Sequence, residues 1–258
     1  MLPRMVIYDG PQDLRRAVLM DVDLSGARLI RTSLAGATMR GADVTGAEID
    51  SPWLLEDEGG TLLINGVDVV PYLQAELDRR WPGRALRRAE DPDGLREAWT
   101  ALETTWRRTI DQAAAMPEGS VDAKVDGEWS FSQTLRHLVM AIDIWLGRAI
   151  LHREDALHPI GQPHADYEAD GHDMAAFAPG IPAFDDVLAV LAERFAMVRS
   201  FLAEATAELL DAPRNCPWDP GREVTVRSCL HVILNEGWEH HRYAVRDLEA
   251  LAGARERT

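Results

Sequence analysis

The stretch Trp129-Ser130-Phe131-Ser132-Gln133-Thr134-Leu135-Arg136-His137-Leu138 decides how the larger part of this chain folds. From Ser130 onward Phe131, Leu135, Leu138, Ile142, Trp145 and Ala149 keep helical phase, the mark of an amphipathic helix with one buried stripe. Three other stretches repeat the pattern. Leu95, Trp99, Leu102, Trp106 and Ile110 share a stripe over residues 92–116, and Val187, Leu191, Phe195, Val198 and Leu202 over 183–207. Val226, Leu230, Ile233, Gly237, Ala244, Leu248 and Leu251 do so over 224–251. Four such helices bury their stripes against one another, so a four-helix bundle is predicted for residues 91–258.

The last of these helices contains Asn235-Glu236-Gly237-Trp238-Glu239-His240-His241. Helical residues four apart differ by about 40° and roughly 6 Å of rise, so Glu236 and His240 can present a carboxylate oxygen and an imidazole nitrogen to one point. His137, on the second helix, completes a three-ligand set with open positions, the arrangement used by catalytic zinc and related divalent ions. On the helical wheel His241 falls on the opposite edge of the apolar stripe. His231 falls opposite His240 and reads as a surface or packing histidine. Cys229 shares the Glu236 face about two turns away and reads as a buried, inert thiol. A lone histidine is more often a side chain bonded to a neighbour than a ligand; three ligand-type residues on two facing helices favour the metal.

The N-terminal part has a different period. Leu24, Leu29, Leu34, Met39, Val44 and Ile49 recur every five residues, and Leu14 and Leu19 extend the series backwards. Two residues before the centres stand Ala17, Val22, Ala27, Thr32, Ala37, Ala42 and Ala47. Five fits neither a helix nor a flat strand, and a sustained short period suggests a stacked solenoid. Through Gly26-Ala27, Gly36-Ala37, Gly41-Ala42 and Gly46-Ala47, residues 12–50 resemble the pentapeptide-repeat family. That resemblance implies a four-sided right-handed β-helix, here of about two coils, fewer than an independent solenoid needs. Thr61-Leu62-Leu63-Ile64 and Val67-Asp68-Val69-Val70 flank Asn65-Gly66, a two-residue hairpin signal. Pro71 suits the first turn of a helix to about Arg80, which Trp81-Pro82-Gly83 stops. The expected architecture is therefore α+β: residues 1–90 as a short β-solenoid with a capping hairpin and helix, then the bundle.

Composition narrows the function. No apolar run approaches the ~18 residues of a membrane span, and no secretory leader opens the chain, so a soluble cytoplasmic protein is expected. A net charge of −16 argues against nucleic acid, which requires clustered cations. Cys216 and Cys229 are too few for a disulfide framework. The connection over residues 152–181 carries Pro159, Pro163 and Pro179 with His152, His158, His164 and His172. Connections of that length are usually functional, and this one is expected to cover the end of the bundle that carries the site. Asn215-Cys216-Pro217-Trp218 is expected to pack over a bundle end.

The pattern Trp-Ser-x-x-x-x-Leu-x-His-Leu-x-x-x-x-Asp-x-Trp from Trp129, with the segment Glu236 to Leu248, resembles the second and last helices of the DinB-like (DinB/YfiT) superfamily. The resemblance covers residues 93–252. It implies a four-helix bundle holding a divalent metal, often zinc or nickel, through a histidine of the second helix and an i,i+4 pair of the last. His137 matches the first position. Many members carry His-x-x-x-His, whereas the mycothiol-dependent maleylpyruvate isomerase branch carries Glu-x-x-x-His, which Glu236 and His240 resemble. The other register would select His241, whose partner four residues back is Gly237, and glycine cannot ligate. The metal set is thus read as His137, Glu236 and His240, with His241 as the alternative.

The resemblance implies a transferase or isomerase that activates a low-molecular-weight thiol such as mycothiol, with a small-molecule substrate. Arg136, Arg148, Arg242 and Tyr243 are candidates to assist, and no residue is assigned a catalytic step. Two alternatives stay open: a non-catalytic interaction module with a degenerate metal site, and a metal-dependent hydrolase using water in place of thiol. Bundle faces of this kind often pair, so a homodimer is compatible with the sequence. It does not name the thiol, the electrophile or the metal.

Overall fold

The structure is a computed structural model that describes residues 14–30, 32–51, 54 and 60–256. It divides into two compact units, Met1–Ile49 and Asp50–Thr258. The fold is mixed α+β, about half helical with little sheet.

In the first unit the five-residue period appears as backbone geometry. Arg16, Asp21, Gly26, Gly36, Gly41 and Gly46 all take left-handed φ between 54° and 75°, which glycine adopts without steric cost. Alternate corners are closed by hydrogen bonds from Ala17 N to Leu14 O, Ala27 N to Leu24 O, Ala37 N to Leu34 O and Ala47 N to Val44 O, at 2.9–3.0 Å. Asp23 and Asp43 brace two corners by accepting from Ser25 N and Thr45 N at 2.9 Å. The repeat centres Leu14 to Ile49 are each between 52% and 66% exposed. Among the described residues no strand and no buried centre joins these turns, so the unit shows the repeat's period without a solenoid's interior.

The second unit opens with the expected hairpin. Strands β1 (Leu63–Ile64) and β2 (Val67–Asp68) are antiparallel, with Leu63 opposite Asp68 and Ile64 opposite Val67. Asn65 and Gly66 have φ of 50° and 82°, the two left-handed residues that a tight hairpin turn of this hand needs. Helix α1 (Val70–Arg80) carries Pro71 in its first turn. A 3-10 turn at Arg84–Arg88 follows, and its Arg84 and Arg87 are buried. Their terminal guanidinium nitrogens donate to Asp78 and Gln74, Arg84 also reaches Glu239 at 3.2 Å, and Arg84 Nε is buried with no hydrogen-bond partner among the described residues. Buried charge of this kind needs such partners.

Helix α2 (Pro92–Ala114) starts where the Asp91 side chain accepts from Gly94 N. Helix α3 (Phe131–Ile142) starts with a capping box, Ser130 Oγ accepting from Gln133 N and Gln133 Oε1 from Ser130 N. It runs into a wider π-helical stretch at Asp143–Ile150. Helix α4 (Phe184–Glu204), the short α5 (Ala207–Asp211), strands β3 (Pro213–Cys216) and β4 (Asp219–Thr225), and helix α6 (Val226–Glu256) complete the unit. Helices α2 and α3 each pack against α4 and α6, which closes the four long helices into a bundle. Trp99, Trp106, Leu135, Phe195, Ile233 and Trp238 lie in its core. No helix among the described residues is long and apolar enough to cross a membrane.

One close approach sets the α2–α6 distance. A Cβ at Gly237 would lie 2.5 Å from Leu102 Cδ2, and Trp106 Nε1 donates to the Gly237 carbonyl at 3.0 Å. Gly237 therefore belongs to the packing, and its neighbour Glu236 is carried toward α3. The segment Asn215-Cys216-Pro217-Trp218, expected to lie over a bundle end, forms the end of β3 and the Pro217-Trp218 turn into β4, with a register shift between Asn215 and Cys216.

Candidate metal centre

Helices α3 and α6 are neighbours in the bundle, and their facing residues bring His137, Glu236 and His240 together. One ligand atom from each lies within 4.8 Å of the others. Glu236 Oε2 is 3.1 Å from His240 Nε2 and 3.5 Å from His137 Nε2. Tetrahedral zinc with bonds of roughly 2.0–2.1 Å separates its ligand atoms by about 3.3–3.5 Å, so the two Glu236 separations match a small divalent ion, and the two imidazoles lie within 4.8 Å of each other. Two imidazoles and a carboxylate are donors that zinc and nickel both accept. The side chains of His137 and His240 are 12% and 18% exposed against 36% for Glu236, so the opening of the site lies on the carboxylate side.

The surroundings fix the donors. His137 Nδ1 lies 2.9 Å from the Gln162 carbonyl; a carbonyl only accepts, so Nδ1 carries the hydrogen and Nε2 faces the site. The Trp129 indole covers both imidazoles, at 4.7 Å from the His137 ring and stacked at 5.9 Å on that of His240. Burial works to raise the Glu236 carboxyl, but hydrogen bonds and charge from His137 and His240 outweigh it and hold the group well below the usual carboxylate range. A carboxylate held ionised between two imidazoles is an arrangement that a cation can enter.

His241 points away from this centre. It is 3% exposed, its Nε2 lies 2.8 Å from Thr109 Oγ1, and Trp81, Trp106 and Trp238 surround its ring. Burial pushes it down to about 4, so it stays neutral near pH 7. The alternative register therefore has neither its second ligand in place nor a partner at Gly237. His231 bonds to the Ala89 carbonyl at 2.9 Å. Cys229 is fully buried, and desolvation pushes its thiol up to about 12, an inert state.

The candidate helpers separate. Arg136 is buried and donates to the Ile160 carbonyl at 2.7 Å, whereas Arg148 is exposed. Tyr243 has its ring 6.3 Å from that of His240, and the Arg242 and Arg246 guanidiniums stand over it at 4.6 and 5.2 Å. Asp50 accepts from both arginines, at 2.8 and 2.9 Å. Burial raises the Tyr243 hydroxyl well above its ordinary value, so it keeps its proton.

The linker histidines do not join the centre. His158 Nδ1 accepts from Ile160 N, His164 pairs with Asp170 at 3.3 Å, and His172 lies against the Tyr167 ring. Sequence reasoning missed Gln162, Asp50 and Arg246, and gave no role to Trp129. Only Trp129 left a signal, as the aromatic residue directly before the helix that bears His137.

Residues 101–244 match the DinB superfamily, and residues 13–50 match the pentapeptide repeats in eight copies. No curated protein and no solved structure matches the chain.

Proposed function

The chain belongs to the DinB superfamily, and on that premise we propose that His137, Glu236 and His240 hold a divalent ion, zinc or nickel, in a transferase or isomerase that uses a low-molecular-weight thiol such as mycothiol. The observation that carries this reading is the convergence of three donor atoms within 4.8 Å from two adjacent helices. When bound, such an ion lowers the pKa of a coordinated thiol and holds the thiolate toward an electrophile. The chain's own residues prepare the position. Gln162 orients His137, Trp129 shields one side of the imidazoles, and Glu236 supplies the negative charge. Tyr243, which keeps its proton, serves as a donor beside His240 and not as a base.

The net charge of −16 supports a small-molecule substrate over nucleic acid. Two buried free cysteines support a reducing, cytoplasmic setting. The exposed repeat centres support a second reading, in which residues 13–50 complete a short β-solenoid on binding a partner and the chain is an interaction module.

Elemental analysis of the metal-loaded, dialysed full chain tests the first reading, followed by a thiol-dependence screen on simple electrophiles. One ion per chain and thiol-dependent turnover are the expected results. A chain that retains no ion overturns the metal reading and favours the interaction module, whereas metal without thiol-dependent turnover overturns the thiol assignment and favours the metal-dependent hydrolase.

A further inference from the structure

The linker after the π-helical stretch touches the candidate metal centre at one point and is fastened to the bundle at several others. His158 N donates to Asp143 Oδ2 at 2.8 Å, while Arg194 of α4 donates to Asp143 Oδ1 at 2.6 Å. Arg136 donates through Nε to the Ile160 carbonyl at 2.7 Å, and Gln162 N donates back to the Arg136 carbonyl at 3.1 Å. The next residue of α3, His137, then donates from Nδ1 to the Gln162 carbonyl at 2.9 Å. Asp143 is 1% and Arg136 7% exposed. Polar groups so far from water lose more by standing unpaired than a bond in solvent returns, so these contacts form or break as a set.

We propose that residues 158–162 are a latch coupled to metal loading, with the Gln162 carbonyl as the positioning group that presents His137 Nε2 to the ion. The proposal rests on the metal reading given above. A neutral imidazole carries its hydrogen on one nitrogen. With the latch closed that nitrogen in the metal-bound ring is Nδ1, so Nε2, which faces Glu236 and His240, is the one left to ligate. With the latch open, His137 loses this constraint on tautomer and ring angle, and affinity for the ion falls. Coupling of this kind is reciprocal: an ion that binds better to the closed state must also favour closure. Loss of the ion then loosens the segment that buries Ile160.

The test uses the full chain and Zn²⁺ alone. Zinc affinity is measured by chelator competition in the native chain, Arg136→Met, Asp143→Asn and a linker control, Asp170→Asn. Amide exchange at His158, Ile160, Gly161 and Gln162 is followed with and without zinc. Arg136→Met and Asp143→Asn should each weaken zinc by about 10- to 100-fold, the usual cost of losing support around a ligand. Asp170→Asn should bind as the native chain does. Zinc should slow exchange at the four latch amides in the native chain. Native-like affinity in both latch variants, or exchange unaffected by zinc, overturns the proposal. Should both variants fail to fold, the exchange measurement on the native chain decides. A native chain that binds no zinc overturns the metal reading and the latch with it. A native chain that binds zinc and loses it with His137→Ala, beside latch variants of native affinity, overturns the latch alone.

Discussion

His240 and His241 are adjacent in sequence and have different chemistry because of what each faces. His240 lies 3.1 Å from Glu236, whereas His241 is enclosed by three tryptophans and held by Thr109. His137→Ala should remove most bound zinc, since it deletes one of three protein ligands, while His241→Ala should retain the ion and lose thermal stability. Metal kept in the first variant and lost in the second, read by elemental analysis, would reverse the register. Cys229 offers a prediction independent of metal. Its thiol ionises near 9 when unfolded and near 12 in the fold, so between those values the folded state binds more protons than the unfolded one. Stability must then fall as pH rises above about 9. Urea titrations should show part of this alkaline loss disappearing in Cys229→Ala; an unchanged pH slope would contradict it. At this scale the approach of Glu236 to His240 was legible because an i,i+4 pair needs only helix geometry, while His137 was brought to the same point by the reading of two facing helices. Gln162 was not legible, because a main-chain carbonyl has no sequence signature.

Gly237 shows how one residue governs the placement of an element. With 2.5 Å between its would-be Cβ and Leu102 Cδ2, Gly237→Ala forces the buried Leu102 side chain or the helices to yield and should cost about 1–3 kcal/mol, the usual range for an overpacked core. Adding Leu102→Ala should recover part of the Gly237→Ala loss, and urea denaturation of the four-member cycle measures that coupling. Strict additivity would show that the two residues do not share the contact. The four long helices were legible because each carries an apolar stripe at the helical period, and the β1–β2 hairpin because Asn65-Gly66 suits only a tight turn. Other elements were hidden for physical reasons. The β3–β4 hairpin has a bulge that breaks alternation at Asn215/Cys216. The π-helical stretch left no mark because burial runs without a break from Leu138 of α3 to Gly147, so the apolar pattern does not change where the winding widens. The burial of Arg84 and Arg87 had no sequence signal, because it depends on Asp78, Gln74 and the distant Glu239 gathering around them.

For the whole molecule, the question is which part binding acts on. His137, Glu236, His240 and the contacts that orient them, from Trp129, Gln162 and Tyr243, all belong to the unit Asp50–Thr258, which also holds the bundle core. Among its described residues the repeat unit has no comparable interior, its eight centres being more than half exposed. A chain starting at Asp50 should therefore fold and bind zinc as the full chain does. It keeps the carboxylate that Arg242 and Arg246 share. Because a site assembled only in the folded state stabilises that state, free zinc at a hundred times Kd should add about 2.7 kcal/mol to either chain. The thermal shift between zinc-loaded and chelated protein should then be the same for both, and His137→Ala should abolish it in both. A truncated chain that folds without the zinc shift would show that the repeats complete the centre, whereas a chain that fails to fold would show that the bundle depends on them for stability.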